Sequence, residues 1–200
     1  MFELFQQNIS LMSLPEAIAV ATGLASVWFA KKENILVYPT GIISVLIYVF
    51  VCFDVKLYAE AGINFYYFVM SIYGWYEWIK KDDKKDHIHI SKNNFKEQII
   101  SIGLFIISFF ILSQTLLRFT DSNVPYLDSF ATSLFFVAMW LMAKKKIENW
   151  TLWIIGDLIC IPLYFYKGLM LTSFQYLVFT FIALGGYLEW NKKLKVNSTI

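Results

Sequence analysis

Trp150, Trp153 and Asp157 are the residues of this sequence whose types and spacing best suit the binding of a ligand. They occupy positions i, i+3 and i+7, which lie on one face of an α-helix. Indole rings attract a flat cation by stacking and by cation–π interaction. A carboxylate supplies the opposite charge. The pattern therefore predicts a site for a flat, cationic, heteroaromatic molecule.

The position of Asp157 strengthens this prediction. It lies inside a long apolar stretch, about 15 Å from the start of that stretch if the segment is helical. Ionisable groups at such a depth in a membrane helix are costly and usually functional. Polar side chains also share helix faces in two other apolar stretches: Asn64, Tyr67 and Ser71 in one, and Gln175 with Tyr176 in the other. We expect all of these side chains to line one substrate site.

Composition indicates a membrane protein. The chain is 58% hydrophobic and only 16% charged, whereas soluble domains carry about 25% charged residues. A net charge of +2 argues against nucleic-acid binding. Cys52 and Cys160 lie in apolar runs and predict neither a disulfide nor a metal site. His87 and His89 stand in a charged loop without further ligands, so we predict no metal and no cofactor.

Seven apolar stretches are long enough to approach the roughly 20 residues of a membrane-spanning helix. They are 14–30, 35–53, 57–79, 97–117, 126–143, 147–165 and 169–190. If all seven cross the membrane, most of the 17 basic residues fall on one side. Those on the opposite side are Lys56, Arg118 and Lys167. Because Lys and Arg accumulate on the cytoplasmic side, the N-terminus is predicted outside and the C-terminus inside.

Parts of the sequence recur at an offset of 112 residues. Identical residues coincide near the ends of the apolar stretches: Trp28 with Trp140, Gly74 with Gly186, Glu77 with Glu189, and Trp78 with Trp190. An offset of 115 aligns Asn34 with Asn149 and Gly41 with Gly156, which predicts that the first interhelical turns differ by about three residues.

The offset predicts an all-α membrane protein built from two three-helix repeats. The first repeat is 14–78 and the second is 126–190, with a cytoplasmic loop at 79–96 and a linking helix at 97–117. A second copy placed directly after three spans would be inverted, and the linking helix restores a parallel orientation. Parallel repeats of this kind are a known transporter plan.

Other classes of seven-span protein fit less well. A retinal protein needs a lysine in its last span, and 169–190 has none. An intramembrane enzyme needs paired catalytic groups, whereas Asp157 is the one carboxylate near the middle of a span. We therefore predict a transporter and not an enzyme. A sugar carrier needs no counter-charge, so Asp157 argues mildly against one.

Four strings carry a resemblance to a known family. ENWTLW at 148–153, LYA at 57–59, IYGWYEW at 72–78 and LVFTFIALG at 177–185 resemble the PnuC family of nicotinamide riboside transporters, in the right order over nearly all of 14–190. The resemblance implies a 3+1+3 fold similar to two fused halves of the SWEET sugar-transporter plan, often as a homotrimer. It also implies facilitated diffusion through a bacterial inner membrane, after which a cytoplasmic kinase traps the vitamin by phosphorylation.

The same resemblance implies site residues and a substrate. Trp150 and Trp153 match the family's aromatic pair, and we expect Asn149, which precedes them, to bind the substrate as well. Asp157 stands where the resemblance implies Asn, and Asn64 and Ser71 stand where it implies Gln and Asn. We expect uptake of nicotinamide riboside by alternating access. Thiamine, another cationic heterocycle, is the alternative that Asp157 favours, and a SWEET-like sugar carrier is a more distant one.

Overall fold

The computed structural model describes residues 14–54, 56–80 and 88–197, and these form seven α-helices. The helices are α1 Leu14–Lys31, α2 Val37–Asp54, α3 Tyr58–Ile79, α4 Phe95–Phe119, α5 Pro125–Ala143, α6 Glu148–Tyr166 and α7 Met170–Asn197. All seven predicted helices are present, and their ends agree with the prediction to within about two residues, except at the end of α7. That helix continues past residue 190 because the Lys-rich segment that follows favours helix although it is polar.

Local signals explain two helix starts. Asn94 caps α4: its side chain accepts a hydrogen bond from the Glu97 backbone, and Glu97 accepts one from the backbone of Asn94. Helix α5 begins at Pro125, whose missing N–H costs nothing in the first turn.

The outer surface of the helix bundle is apolar. Phe50, Phe110 and Phe181 are exposed, whereas Ser133 and Asn149 are fully buried. Among the described residues, three helices are long and apolar enough to cross a membrane by those two properties alone, namely α2, α4 and α5.

The helices pack as two groups with one helix beside them. Helices α1 to α3 pack consecutively and are called here the first half; α5 to α7 do the same and are called the second half. The halves meet where α1 packs on α7 and α3 packs on α5, and α4 packs on α5. The main cavity is enclosed between the two halves.

The interhelical turns of the two halves have the same backbone hydrogen bonds. Lys32 and Asn34 donate to Trp28 and Phe29, and Lys144 and Lys146 donate to Trp140 and Leu141, which is a constant offset of 112. Left-handed residues also coincide at this offset: Glu33 (φ 57°) with Lys145 (φ 50°), and Lys56 (φ 62°) with Gly168 (φ 77°). The prediction that the first turns differ by three residues is therefore wrong, because Asn34 corresponds to Lys146 and not to Asn149.

Part of the loop before α4 is more ordered than predicted. Ser91 donates to the Lys145 carbonyl over 3.1 Å and accepts from the Ile147 amide over 3.0 Å. Ile90 is buried in the cluster that contains Trp78. Residues 88–94 thus rest on the turn between α5 and α6, a packing that the prediction of a charged loop at 79–96 did not include. His87 lies outside the described residues, whereas His89 is exposed.

Candidate substrate-binding site

A cavity of about 300 Å³ lies between the two halves and is lined by all six of their helices. Its volume is at the lower end of the range of about 300–1,000 Å³ that is usual for small-molecule sites. Eight of the nine predicted site residues line it: Asn64, Tyr67, Ser71, Trp150, Trp153, Asp157, Gln175 and Tyr176. Residues from three separate apolar stretches are thus brought into one site.

Asp157 is the charged group of the cavity wall. It lies in the middle of α6 and is only 3% exposed. No hydrogen bond or ion pair joins its carboxylate to another of the described residues, and no basic side chain lines the cavity in the described part of the chain. A buried charge without a partner is costly, so this carboxylate fits a ligand that brings a positive charge.

Trp153 belongs to a stack of aromatic rings beside Asp157. Its ring stacks on Phe135, with centroids 5.1 Å apart, and Phe135 stacks in turn on Tyr176, at 6.1 Å. All three rings line the cavity. Phe135 therefore buttresses Trp153, and the indole is held in place before any ligand binds. Sequence analysis missed Phe135, because its role depends on how α5 packs against α6.

Trp150 is placed differently from Trp153. Its ring packs against Gly186, where an added Cβ would meet it at 2.6 Å, and makes an edge contact with Trp190 at 5.6 Å. Tyr38 makes the equivalent contacts in the first half, against Gly74 and against Trp78 at 5.1 Å. Tyr38 and Trp150 together form what is called here the floor of the cavity. The floor lies at the end of the bundle that carries Lys31, Lys32 and Lys144 to Lys146, which is called here the Lys-rich end. Tyr38 was missed, although the offset of 112 places it opposite Trp150.

Several buried polar atoms around the cavity have no hydrogen-bond partner within the described part of the chain. They are Trp150 Nε1, Trp153 Nε1 and the Tyr38 hydroxyl. Buried polar groups are normally satisfied by protein, water or ligand. The two indole N–H groups are donors, so a ligand that carries acceptor oxygens could satisfy them.

The charged and aromatic groups of the site come mainly from one half. At the offset of 112, Phe135 and Trp153 correspond to Gly23 and Gly41, and Asp157 corresponds to Val45. All three first-half residues line the cavity. An aromatic and acidic wall therefore faces a wall that lacks both large rings and charge at these positions, which leaves room for a flat ligand.

Asn149 is the one predicted site residue that does not line the cavity. It is fully buried near the start of α6, and its amide nitrogen donates to the Lys146 carbonyl. Its Oδ1 has no partner among the described residues. Asn149 therefore fixes the turn that positions Trp150 and reaches the ligand only through that residue.

This geometry suits the binding of a small molecule. The cavity has one carboxylate, several aromatic rings and neutral polar groups, and it lies within a bundle whose outer surface is apolar. A central site between two packed halves is typical of one class of protein, the multi-pass α-helical membrane transporters.

The comparison with family models identifies the family within this class. The model of the nicotinamide mononucleotide transporter matches residues 13–192, and the chain belongs to that family, which consists of transporters and not of enzymes.

The most similar proteins support this placement. The chain is 28% identical to the nicotinamide riboside transporter PnuC of Escherichia coli, over 90% of this chain and 85% of that protein. It is 24% identical to the riboflavin/roseoflavin transporter RibM of Streptomyces davaonensis, over 94% of this chain and 88% of that protein. The crystal structure of the vitamin B3 transporter PnuC matches with a TM-score of 0.69 and 25% identity, over 90% of this chain and 82% of that one.

Proposed function

We propose that this protein transports nicotinamide riboside. The observation that carries the proposal is the Asp157 carboxylate, unpaired among the described residues, in the same cavity wall as the Trp153 ring. Nicotinamide riboside has a flat pyridinium cation, which suits the carboxylate and the indole, and a ribose whose oxygens can accept from the indole N–H groups. The similarity to nicotinamide riboside transporters supports the same substrate.

The cavity argues for the riboside rather than the mononucleotide. A phosphate carries close to two negative charges at neutral pH and is normally bound by Arg, Lys or backbone N–H groups. No basic residue is among those that line this cavity in the described ranges, and Asp157 would repel the phosphate. The family's description therefore names a molecule that this site fits less well than the dephosphorylated one.

Thiamine is a second candidate because it is also a cationic heterocycle. A carboxylate at position 157 attracts either cation. The relative that transports riboflavin or roseoflavin shows that substrates differ among similar proteins. Charge does not separate thiamine from nicotinamide riboside, so the shape of the cavity must do so.

We further propose a 3+1+3, SWEET-like architecture in which α4 links two parallel repeats. The equal turns and the paired left-handed residues at the offset of 112 support this arrangement. Transport then proceeds by facilitated diffusion, as the two halves rock about the central cavity and expose it to each side in turn.

In this proposal all seven helices cross a bacterial inner membrane, with the Lys-rich end in the cytoplasm. A cytoplasmic kinase phosphorylates the vitamin after entry, which gives it a charge that this cavity does not accommodate. The assembly is a homotrimer within the lipid bilayer. The membrane orientation is tested below, and chemical cross-linking in native membranes would test the trimer.

Tryptophan fluorescence of the purified protein, titrated with each ligand, tests the substrate. Nicotinamide riboside should quench the signal saturably, because Trp150 and Trp153 adjoin the cavity. Nicotinamide mononucleotide is the matched control, since it adds only the phosphate and should bind at least about tenfold more weakly, equal to about 1.4 kcal/mol. A saturable response to thiamine alone would favour the second candidate. Equal binding of riboside and mononucleotide would contradict the electrostatic argument.

A further inference from the structure

The two halves are joined at the Lys-rich end by contacts that occur in matched pairs. Lys144 in the second half forms an ion pair with Glu77 in the first half, at 3.0 Å. Lys32 in the first half pairs with Glu189 in the second half, at 3.5 Å. Lys144 follows Lys32 by 112 residues, and Glu189 follows Glu77 by the same number. The two bridges are therefore related as if by a two-fold axis between the halves.

Two tryptophans repeat this relationship in the buried layer beneath the ion pairs. Trp78 Nε1 donates to the Met142 carbonyl over 3.3 Å, and Trp190 Nε1 donates to the Ala30 carbonyl over 3.1 Å. Each bond crosses from one half to the other. The two indole rings also contact each other, with centroids 6.3 Å apart.

Glu33 and Lys145 lie between the two sets of bridges. These residues correspond to each other at the same offset and form an ion pair at 2.8 Å, and Lys193 pairs with Glu33 at 2.9 Å. Burial alone would raise the pKa of Glu33, but the hydrogen bonds from Lys145 and Lys193 outweigh it and lower the pKa below its ordinary value. Glu33 is therefore ionised at neutral pH and holds cations from both the α5–α6 turn and α7.

These contacts lie directly behind the floor of the cavity. Trp78 and Trp190 contact the floor residues Tyr38 and Trp150, and both tryptophans are buried. A ligand in the cavity cannot leave through the Lys-rich end while the rings and ion pairs are in place. The ion pair at the other end, between Asp128 and Lys167 at 2.6 Å, joins elements of the second half and does not link the halves.

We propose that the paired contacts of Lys32 with Glu189, Lys144 with Glu77, and the two tryptophans with the opposite half form the gate of the Lys-rich end. When the protein opens toward that end, the two ion pairs break together, and so do the two tryptophan hydrogen bonds. The reason is that one rotation of the halves separates both of the related contacts equally. The inference rests on the proposed transport function, but it concerns the conformation of the protein and not the identity of the substrate. Its test therefore needs no ligand.

The test measures how fast an added cysteine is labelled from each side. Ala183 lines the cavity and is buried against the floor, so Ala183→Cys is introduced together with Cys52→Ser and Cys160→Ser. A membrane-impermeant thiol reagent is applied either to the Lys-rich side or to the opposite side in oriented vesicles. The double variant Glu77→Gln with Glu189→Gln removes both charged bridges. Its labelling from the Lys-rich side should rise at least about fivefold, because two partly buried ion pairs are lost.

Two variants control for effects unrelated to the gate. Glu97→Gln removes the 2.9 Å ion pair between Glu97 and Lys146, which lies at the same end but does not join the halves. Glutamine can keep the capping box of α4, so labelling should stay within about twofold of the parent. The charge exchange of Glu77→Lys with Lys144→Glu, combined with Glu189→Gln, keeps one of the two bridges with reversed polarity. Its labelling from the Lys-rich side should therefore be slower than that of the double variant.

Labelling from both sides separates gating from misfolding. Opening of the gate raises labelling from the Lys-rich side and lowers it from the opposite side, whereas a misfolded protein is labelled faster from both. Unchanged rates in the double variant, equal increases from both sides, or an equal effect of Glu97→Gln would overturn the proposal. A failure of nicotinamide riboside to bind in the fluorescence titration would reject the substrate and leave this result standing.

Discussion

Asp157 shows how one residue can set the kind of ligand that a cavity accepts. The interhelical turns of the two halves have matching backbone hydrogen bonds at an offset of 112, yet the residue at that offset from Asp157 is Val45. A carboxylate in a nearly water-free wall acts through a lower effective dielectric than it would in water, so its attraction for a cation is strong. The charge of the site thus depends on a single position.

The first residue-scale prediction concerns Asp157→Asn. The amide has nearly the same shape but no charge, so the Kd for nicotinamide riboside should rise at least about tenfold, about 1.4 kcal/mol. The reduced form of the ligand, whose dihydropyridine ring is uncharged, is the matched control and should bind the variant and the parent alike. Isothermal titration calorimetry of both ligands measures the difference. Equal losses for the two ligands would point to altered packing instead of a lost counter-charge.

Two glycines allow the aromatic rings of the floor to pack directly against a helix backbone. Gly74 in α3 faces Tyr38, and Gly186 in α7 faces Trp150, with the floor rings directly against each backbone. A Cβ at these positions would lie 2.5 Å and 2.6 Å from the ring atoms. The floor can therefore form only where a ring on one helix meets a bare backbone on the next, and each half meets this requirement once.

The element-scale prediction follows from this contact. Gly74→Ala and Gly186→Ala should each destabilise the protein by about 1–3 kcal/mol, because the rings must move out of their packed positions. Gly62→Ala and Gly103→Ala are matched controls, since an added Cβ there meets nothing within 4 Å. They should be neutral or stabilising by up to about 1 kcal/mol, as expected for alanine in a helix. Thermal unfolding in detergent compares the four variants, and similar shifts in all of them would contradict the packing argument.

At the scale of the whole molecule, the end that carries most of the lysines also carries the ion pairs between the halves among the described residues. Lys144 and Lys145 each pair with a glutamate of the first half, and Lys193 of α7 does the same. The basic clusters of the sequence thus have two roles in this proposal. They orient the chain in the membrane, and several of them hold the halves together.

The whole-molecule prediction concerns orientation. A reporter fused to the C-terminus should report the cytoplasm, because the Lys-rich end is expected to stay inside. The matched control is the same reporter inserted at Asn123, between α4 and α5, which should report the outside. If both positions gave the same location, an even number of crossings would separate them and the seven-span arrangement would be wrong.

Much of the fold was predictable because each membrane helix is marked by a long apolar stretch in its own segment of the sequence. Apolar length predicted seven helices close to their observed bounds, and the recurring Trp, Gly and Glu residues predicted the offset of 112. The end of α7 and the packing of residues 88–94 were not predicted. In both cases a polar segment was taken for a loop. The Lys-rich segment after residue 190 remains helical, and Ile90 becomes buried only when the helices pack together.

The sequence by itself indicated the class of site, because residue type and helical spacing were enough to select Trp153, Asp157 and six other residues that line the cavity. Only the tertiary structure decided their separate roles. Phe135 supports Trp153 from another helix, Trp150 belongs to the floor, and Asn149 lies outside the cavity. The physical reason is that helical spacing shows which side chains point to the same side of a helix. The residues that they contact there belong to other helices and depend on how distant segments pack.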